Sequence, residues 1–124
     1  MVAINPSKSK ATIWTALVVT AGAGDVNSGS QDIRSTFGAI AHRKITNGAT
    51  GPTIEATMKT QLSPDGTRWY DFGTALAGGT ANALVTSDST ELPPPVMFAR
   101  NVVGGNTAQN VTADADLSRL DSLQ

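Results

Sequence analysis

The sequence predicts an all-β protein: a single-domain antiparallel β-sandwich of jelly-roll type with an extended N-terminal arm. Three observations carry that expectation. Residues 53–62, TIEATMKTQL, alternate: Ile54, Ala56, Met58 and Leu62 share one parity, and Thr53, Glu55, Thr57, Lys59 and Gln61 share the other. Successive strand side chains leave on opposite faces, so a period of two marks a half-buried strand. Seven or eight short segments of this kind are separated by Gly, Pro and Asn clusters, and none carries a convincing helical period. Finally, 124 residues allow one domain with one core and little more.

In chain order, residues 1–10 read as an arm, with Pro6, two serines, Lys8 and Lys10 and no periodicity. The body runs over 11–120. ATIWTALVVT (11–20) is β-branched and apolar on both faces, as in a strand covered on both sides, with Trp14 in the core. A Gly/Asn/Asp/Ser loop follows at 21–30. Ser30 to Ser35 reads as a short strand. A further strand lies near 37–46, where Phe37, Ala39, Ala41 and Ile45 share a parity that Arg43 interrupts. NGATGP (47–52) is a turn cluster whose Asn-Gly is a hairpin signal.

Strand 53–62 then meets SPDG. Pro64 presets the φ of a type I turn, the Ser63 and Asp65 oxygens can cap backbone amides, and Gly66 can take a left-handed conformation. Residues 53–62 should therefore pair with TRWYDF (67–72). Trp69 and Tyr70 are adjacent and point to opposite faces. Trp69 is assigned to the core and Tyr70 to an exposed or interface position. After a glycine-rich loop, strands follow at 83–87, 96–104 and 111–120, with DSTELPPP (88–95) as a connection. In the last strand, Val111, Ala113, Ala115 and Leu117 alternate with Thr112, Asp114, Asp116 and Ser118. Residues 121–124 are a polar tail.

Composition excludes several classes. Nine basic against ten acidic residues give a net charge of −1, which lacks the basic surplus that nucleic acid or an anionic membrane attracts. With no cysteine, neither a disulfide framework nor a Cys-based zinc site can form. The N-terminal apolar run is too short for a signal peptide, and no window reaches the ~20 apolar residues of a membrane helix. Synthesis in a cytoplasm is the expectation.

QLSPDGTRWYDFG (61–73), followed by PPPVMFARNVVGGNTAQNVTADADL (93–117), resembles small structural proteins of tailed-phage virions. The same order of hairpin and strand is similar to galactose-binding-like jelly rolls of the discoidin type. The likeness spans residues 53–117, and its motif encodes a hairpin and a core rather than a site. Size and layout are most like capsid decoration (cement) proteins. The resemblance implies a homotrimer on the outer capsid surface, partnered by the major capsid protein and clamping neighbouring capsomers. A tail or neck protein of the same style is the close alternative.

Chemistry is sparse. His42 is the single histidine, and a Ser-His-Asp arrangement would need it. Arg43 and Lys44 follow directly, so it reads as a surface or contact residue. Asp114 and Asp116 share a face and could bind Ca²⁺ with Asp121 near, but no glycine-bearing calcium loop surrounds them, so a solvated face is preferred. The loops AGAGDVNSG and GTALAGGT lack phosphate-loop spacing. No catalytic, cofactor or metal residue is assigned. The residues singled out are Ser63, Pro64, Asp65, Gly66 and Trp69 for the hairpin, and Lys8, Lys10, Tyr70 and Phe98 as interface candidates. Phe98 and Val102 are placed in the core or at a trimer seam. The expected function is a non-enzymatic virion component, with a carbohydrate-binding jelly-roll module as the alternative.

Overall fold

The computed structural model describes residues 7–122. Nine strands cross them: β1 (Ser7–Val19), β2 (Val26–Asn27), β3 (Gln31–Asp32), β4 (Ala39–Asn47), β5 (Thr57–Ser63), β6 (Tyr70–Ala77), β7 (Val85–Leu92), β8 (Phe98–Gly104) and β9 (Val111–Ser122). There is no helix among the described residues. A four-stranded sheet has the order β1-β9-β4-β7. A five-stranded sheet has the order β2-β8-β5-β6, with β3 also pairing to β8. Every pairing is antiparallel. If β2 and β3 are taken as one interrupted strand, the chain changes sheet at almost every connection. Only β5 and β6 are consecutive strands bonded to each other. This is the double-sheet layout of a jelly roll.

Alternation explains the sandwich. Ala39, Ala41 and Ile45 of β4 and Val111, Ala113, Ala115 and Leu117 of β9 turn inward and are buried. Met58 of β5 and Ala99 and Val103 of β8 meet them from the other sheet. A fully buried Ile, Val or Met such as Ile45, Val103 or Met58 contributes about 2 kcal/mol of hydrophobic stabilisation.

The interior forms two apolar clusters, one around Ile45, Met58 and Val103 and the other around Ala41, Leu92 and Leu117. A polar layer lies between them. Arg43, 3% exposed, follows the inward parity of its strand rather than breaking it. Its Nη1 donates to the Met58 carbonyl at 3.1 Å, its Nη2 to the Thr74 carbonyl at 2.9 Å, and its Nε to Asp88 Oδ1 at 2.8 Å. A charge is tolerated inside only when paired and hydrogen-bonded in this way. Beside it, Thr60 Oγ1 donates to Asn101 Oδ1 at 2.8 Å, and both residues are buried. One long side chain from the four-stranded sheet thus fastens two strands of the other.

Several sequence expectations need correction. The alternating segment 53–62 is strand only from Thr57, and Ile54 is 58% exposed. Thr53 and Ile54 instead bond the loop at Thr107. The hairpin's second strand begins at Tyr70, not Thr67, and runs on to Ala77 through what reads as a glycine-rich loop. β7 extends to Leu92 inside the presumed connection, and β8 starts only at Phe98. The short strand at Ser30 to Ser35 shrinks to Gln31–Asp32, while β2 appears within the loop at 21–30.

Asn47-Gly48 makes no hairpin, because β5 lies in the opposite sheet. Asn47 is buried, and its Nδ2 donates to the Gly79 and Ala81 carbonyls at 3.1 and 2.9 Å. Phe37 lies before β4 and is exposed rather than inward. The arm boundary at residue 10 is not a structural break: Ser7 to Lys10 already pair with β9, and residues 1–6 lie outside the described residues. Asp121 and Ser122 likewise belong to β9, while residues 123 and 124 lie outside the described residues.

Candidate functional site on the two outer sheet faces

Each sheet has one face on the core and one outward, and the outward faces carry the exposed chemistry. On the four-stranded sheet, register aligns side chains into rows. Val18 pairs with Thr112, Thr112 with Thr46, and Thr46 with Val85. This row runs the width of the sheet, and its ends are exposed, Val18 at 57% and Val85 at 55%. The middle of the face is charged but internally matched. Lys44 Nζ lies 3.9 Å from Asp114, and Lys10 Nζ lies 3.7 Å from Asp116. Asp114 also accepts the amide of Ala16 at 2.9 Å, where β1 bulges and Ala16 takes a φ of 47°. These aspartates are therefore paired to lysines and backbone. Among the described residues no group of three or more His, Cys, Asp or Glu could hold a metal.

His42 sits mid-face, its two ring nitrogens each 2.8 Å from a hydroxyl, Ser89 on one side and Ser118 on the other. Asp116 is its register partner across β9, but neither ring nitrogen is hydrogen-bonded to a carboxylate. A serine nucleophile mechanism needs a carboxylate there to orient the imidazole. At the far end of this face a groove of about 440 Å³ is lined by Phe37, Ile40, Leu120 and Pro94, with Lys8 and Glu91 at its rim. Phe37 is 52% exposed and Ile40 42%.

The outward face of the five-stranded sheet differs. Phe98 and Arg100 alternate outward on β8, beside Lys59 and Gln61 on β5 and Asp71 on β6. Two guanidinium groups lie over two aromatic rings. Arg34 is 4.9 Å from the Phe98 ring centroid, and Arg100 is 4.3 Å from that of Trp69. Such stacking orders a cation against a ring's negative face. Trp69 therefore belongs to the outer face, half-buried beneath a guanidinium, and not to the core. The inward ring of this hairpin is Phe72. Phe98 is likewise no core residue: it packs outside, under Arg34 and beneath Gly66. Val102 is buried at 5%.

The loop that presents Trp69 is held locally. Ser63 Oγ accepts the amide of Gly66 at 2.8 Å, and Asp65 Oδ1 accepts those of Thr67 and Arg68 at 2.8 and 2.9 Å. Those two amide donors hold the Asp65 carboxyl below its ordinary value. Gly66 has a φ of 78°, which an L side chain adopts only under strain. Pro64 is exposed at the turn. A polar chain continues from Arg100: its Nε donates to Gln61 Oε1 at 2.9 Å, Gln61 Nε2 donates to Asp71 Oδ1 at 2.8 Å, and Asp71 lies 3.9 Å from Lys59.

The four interface candidates do not converge. Lys8 and Lys10 lie on the four-stranded sheet, whereas Phe98 is on the other and Tyr70, 57% exposed, opens its edge strand. Sequence reasoning missed Arg100 and Arg34. The parity of Phe98, Arg100 and Val102 was available as a signal for Arg100. The Arg34 contact depends on β3 pairing with β8, which no local pattern announces.

No protein-family model matches the chain, and no curated protein sequence matches it significantly. Solved structures share the fold at low identity. A protein from a study of Bacillus endospore appendages, described as a novel family of disulfide-linked pili, is 12% identical, with 94% of this chain and 90% of that one covered and a TM-score of 0.54. The PBSX exported protein XepA is 16% identical with a TM-score of 0.59; the match covers 92% of this chain but only 37% of XepA. The SPBc2 prophage-derived protein YomS is 13% identical, with 95% and 98% covered and a TM-score of 0.53. At these identities the likeness establishes a shared β-sandwich architecture.

Proposed function

We propose that this chain is a non-catalytic structural protein of a phage virion: a capsid decoration (cement) protein acting as a homotrimer, with the major capsid protein as its partner. The observation that carries this reading is the outer face of the four-stranded sheet. It is broad, its central charges are paired within the face, and its two ends are apolar. Burying such a face removes Val18, Val85, Phe37 and Ile40 from water. Lys10 with Asp116 and Lys44 with Asp114 can enter an interface as neutral pairs.

Among the described residues β1 and β7 are the edge strands of this sheet, and association between copies is one way to protect edges. Three linked copies would hold a capsid by avidity, since release requires all contacts to open together. The arm from Met1 to Lys10 and the glycine-rich loops are assigned to capsid contact. The likeness to the prophage-derived protein YomS supports a phage setting. The pilus family supports assembly from copies of this architecture.

The test is co-sedimentation with purified phage heads lacking the protein. Saturable pelleting with heads, and none with heads already decorated, is the expected result. A protein left in the supernatant at every ratio would reject the decoration role.

A further inference from the structure

The two arginine–aromatic stacks on the five-stranded sheet have the same form and different completion. Arg34 has its carboxylate within the chain: its Nε and Nη2 grip both oxygens of Asp32 at 3.0 and 2.7 Å. Arg100 has no carboxylate. Among the described residues it makes no ion pair, and its one hydrogen bond is from Nε to the neutral Gln61. Its plane is nevertheless fixed, by the Trp69 ring on one side and by Gln61 at its Nε. An ordered guanidinium with free terminal nitrogens is half of a bidentate carboxylate pair, and little side-chain entropy remains to be lost on binding. The geometry points to a binding site for an acidic oligosaccharide, a uronic or sialic acid residue whose carboxylate docks on the Arg100 terminal nitrogens.

The surroundings choose a sugar over a peptide. Beside Arg100 lie Gln61, Asp71 and Lys59, which offer amide, carboxylate and ammonium groups to hydroxyls on a flat floor. Adjacent strands lie ~4.8 Å apart, close to the width of a pyranose ring. Asp71 faces Lys59 and Gln61, which offsets its repulsion of an incoming acid. The Asp65 carboxylate is turned back onto its own loop amides. The site is independent of any capsid role.

The experiment uses the full chain carrying Trp14→Phe, so that indole fluorescence reports Trp69 alone. Trigalacturonate, 3′-sialyllactose, neutral galactotriose and a triaspartate peptide are titrated in turn. Saturable binding of at least one acidic sugar is expected, about tenfold or more tighter than the neutral sugar and the peptide, and weakened by a similar factor in Arg100→Gln. Arg34→Gln should bind within about twofold of the parent, because its partner is internal. If Trp14→Phe does not fold, the indole N–H resonances of the parent chain give the same readout. No saturation by either acidic sugar, equal binding of the neutral sugar or the peptide, or an Arg34→Gln loss as large as that of Arg100→Gln would each overturn the assignment.

Discussion

The two outward faces are built from the same strand geometry and present opposite chemistry. The four-stranded face pairs its central charges as lysine–aspartate and leaves apolar side chains at its ends. The five-stranded face stacks arginines on Phe98 and Trp69 and, among the described residues, leaves the Arg100 guanidinium without an ion-pair partner. The first suits a broad protein contact whose surface charges need no outside partner. The second suits a small ligand that brings a charge. We therefore propose assembly through one side of the sandwich and recognition through the other.

The comparison breaks most visibly if the first face is charged. If the chain assembles as proposed, the double variant Val18→Asp, Val85→Asp should be monomeric at micromolar concentration where the parent is trimeric, while Arg100→Gln leaves the mass unchanged. Sedimentation velocity checks both, and the reverse pattern would exchange the roles of the faces. Next in size is the link between the sheets. Arg43→Ala leaves Asp88 and two strand carbonyls without their donor, and should cost about 3 kcal/mol in urea denaturation.

A smaller effect sharpens the second face. Gly66→Ala forces an L residue to a φ of 78° beside Phe98 and should cost about 1 kcal/mol in the same assay. The smallest is acid-dependent. The Arg34 hydrogen bonds lower the Asp32 pKa from 3.8 to about 2. A depressed carboxyl stabilises the fold above its unfolded value, so this contribution is present above 3.8 and is lost as pH falls toward 2. Asp32→Asn should flatten that part of the acid limb in thermal melts, and an unchanged limb would deny the pair a role.

Legibility followed sequence distance. β5 and β6 are the one consecutive bonded pair, and SPDG encodes their turn through oxygens two or three residues away from the amides they cap. β9 was legible because Val111, Ala113, Ala115 and Leu117 alternate without exception. β1 kept its strand character but not its start, because Ser7 to Lys10 are ordered only by β9 at the other end of the chain. Arg43 looked like an interruption because its partners, Met58, Thr74 and Asp88, come from three other strands. The core assignment of Trp69 assumes a simple hairpin register that gives it the parity of the apolar row. The register puts it beside Arg100 instead, and no pattern within the hairpin carries that contact.

The most direct measurement is the mass of the full chain by light scattering across a micromolar concentration series. The assembly role predicts three times the 12.8 kDa of one chain. A constant single-chain mass over the whole series would contradict it.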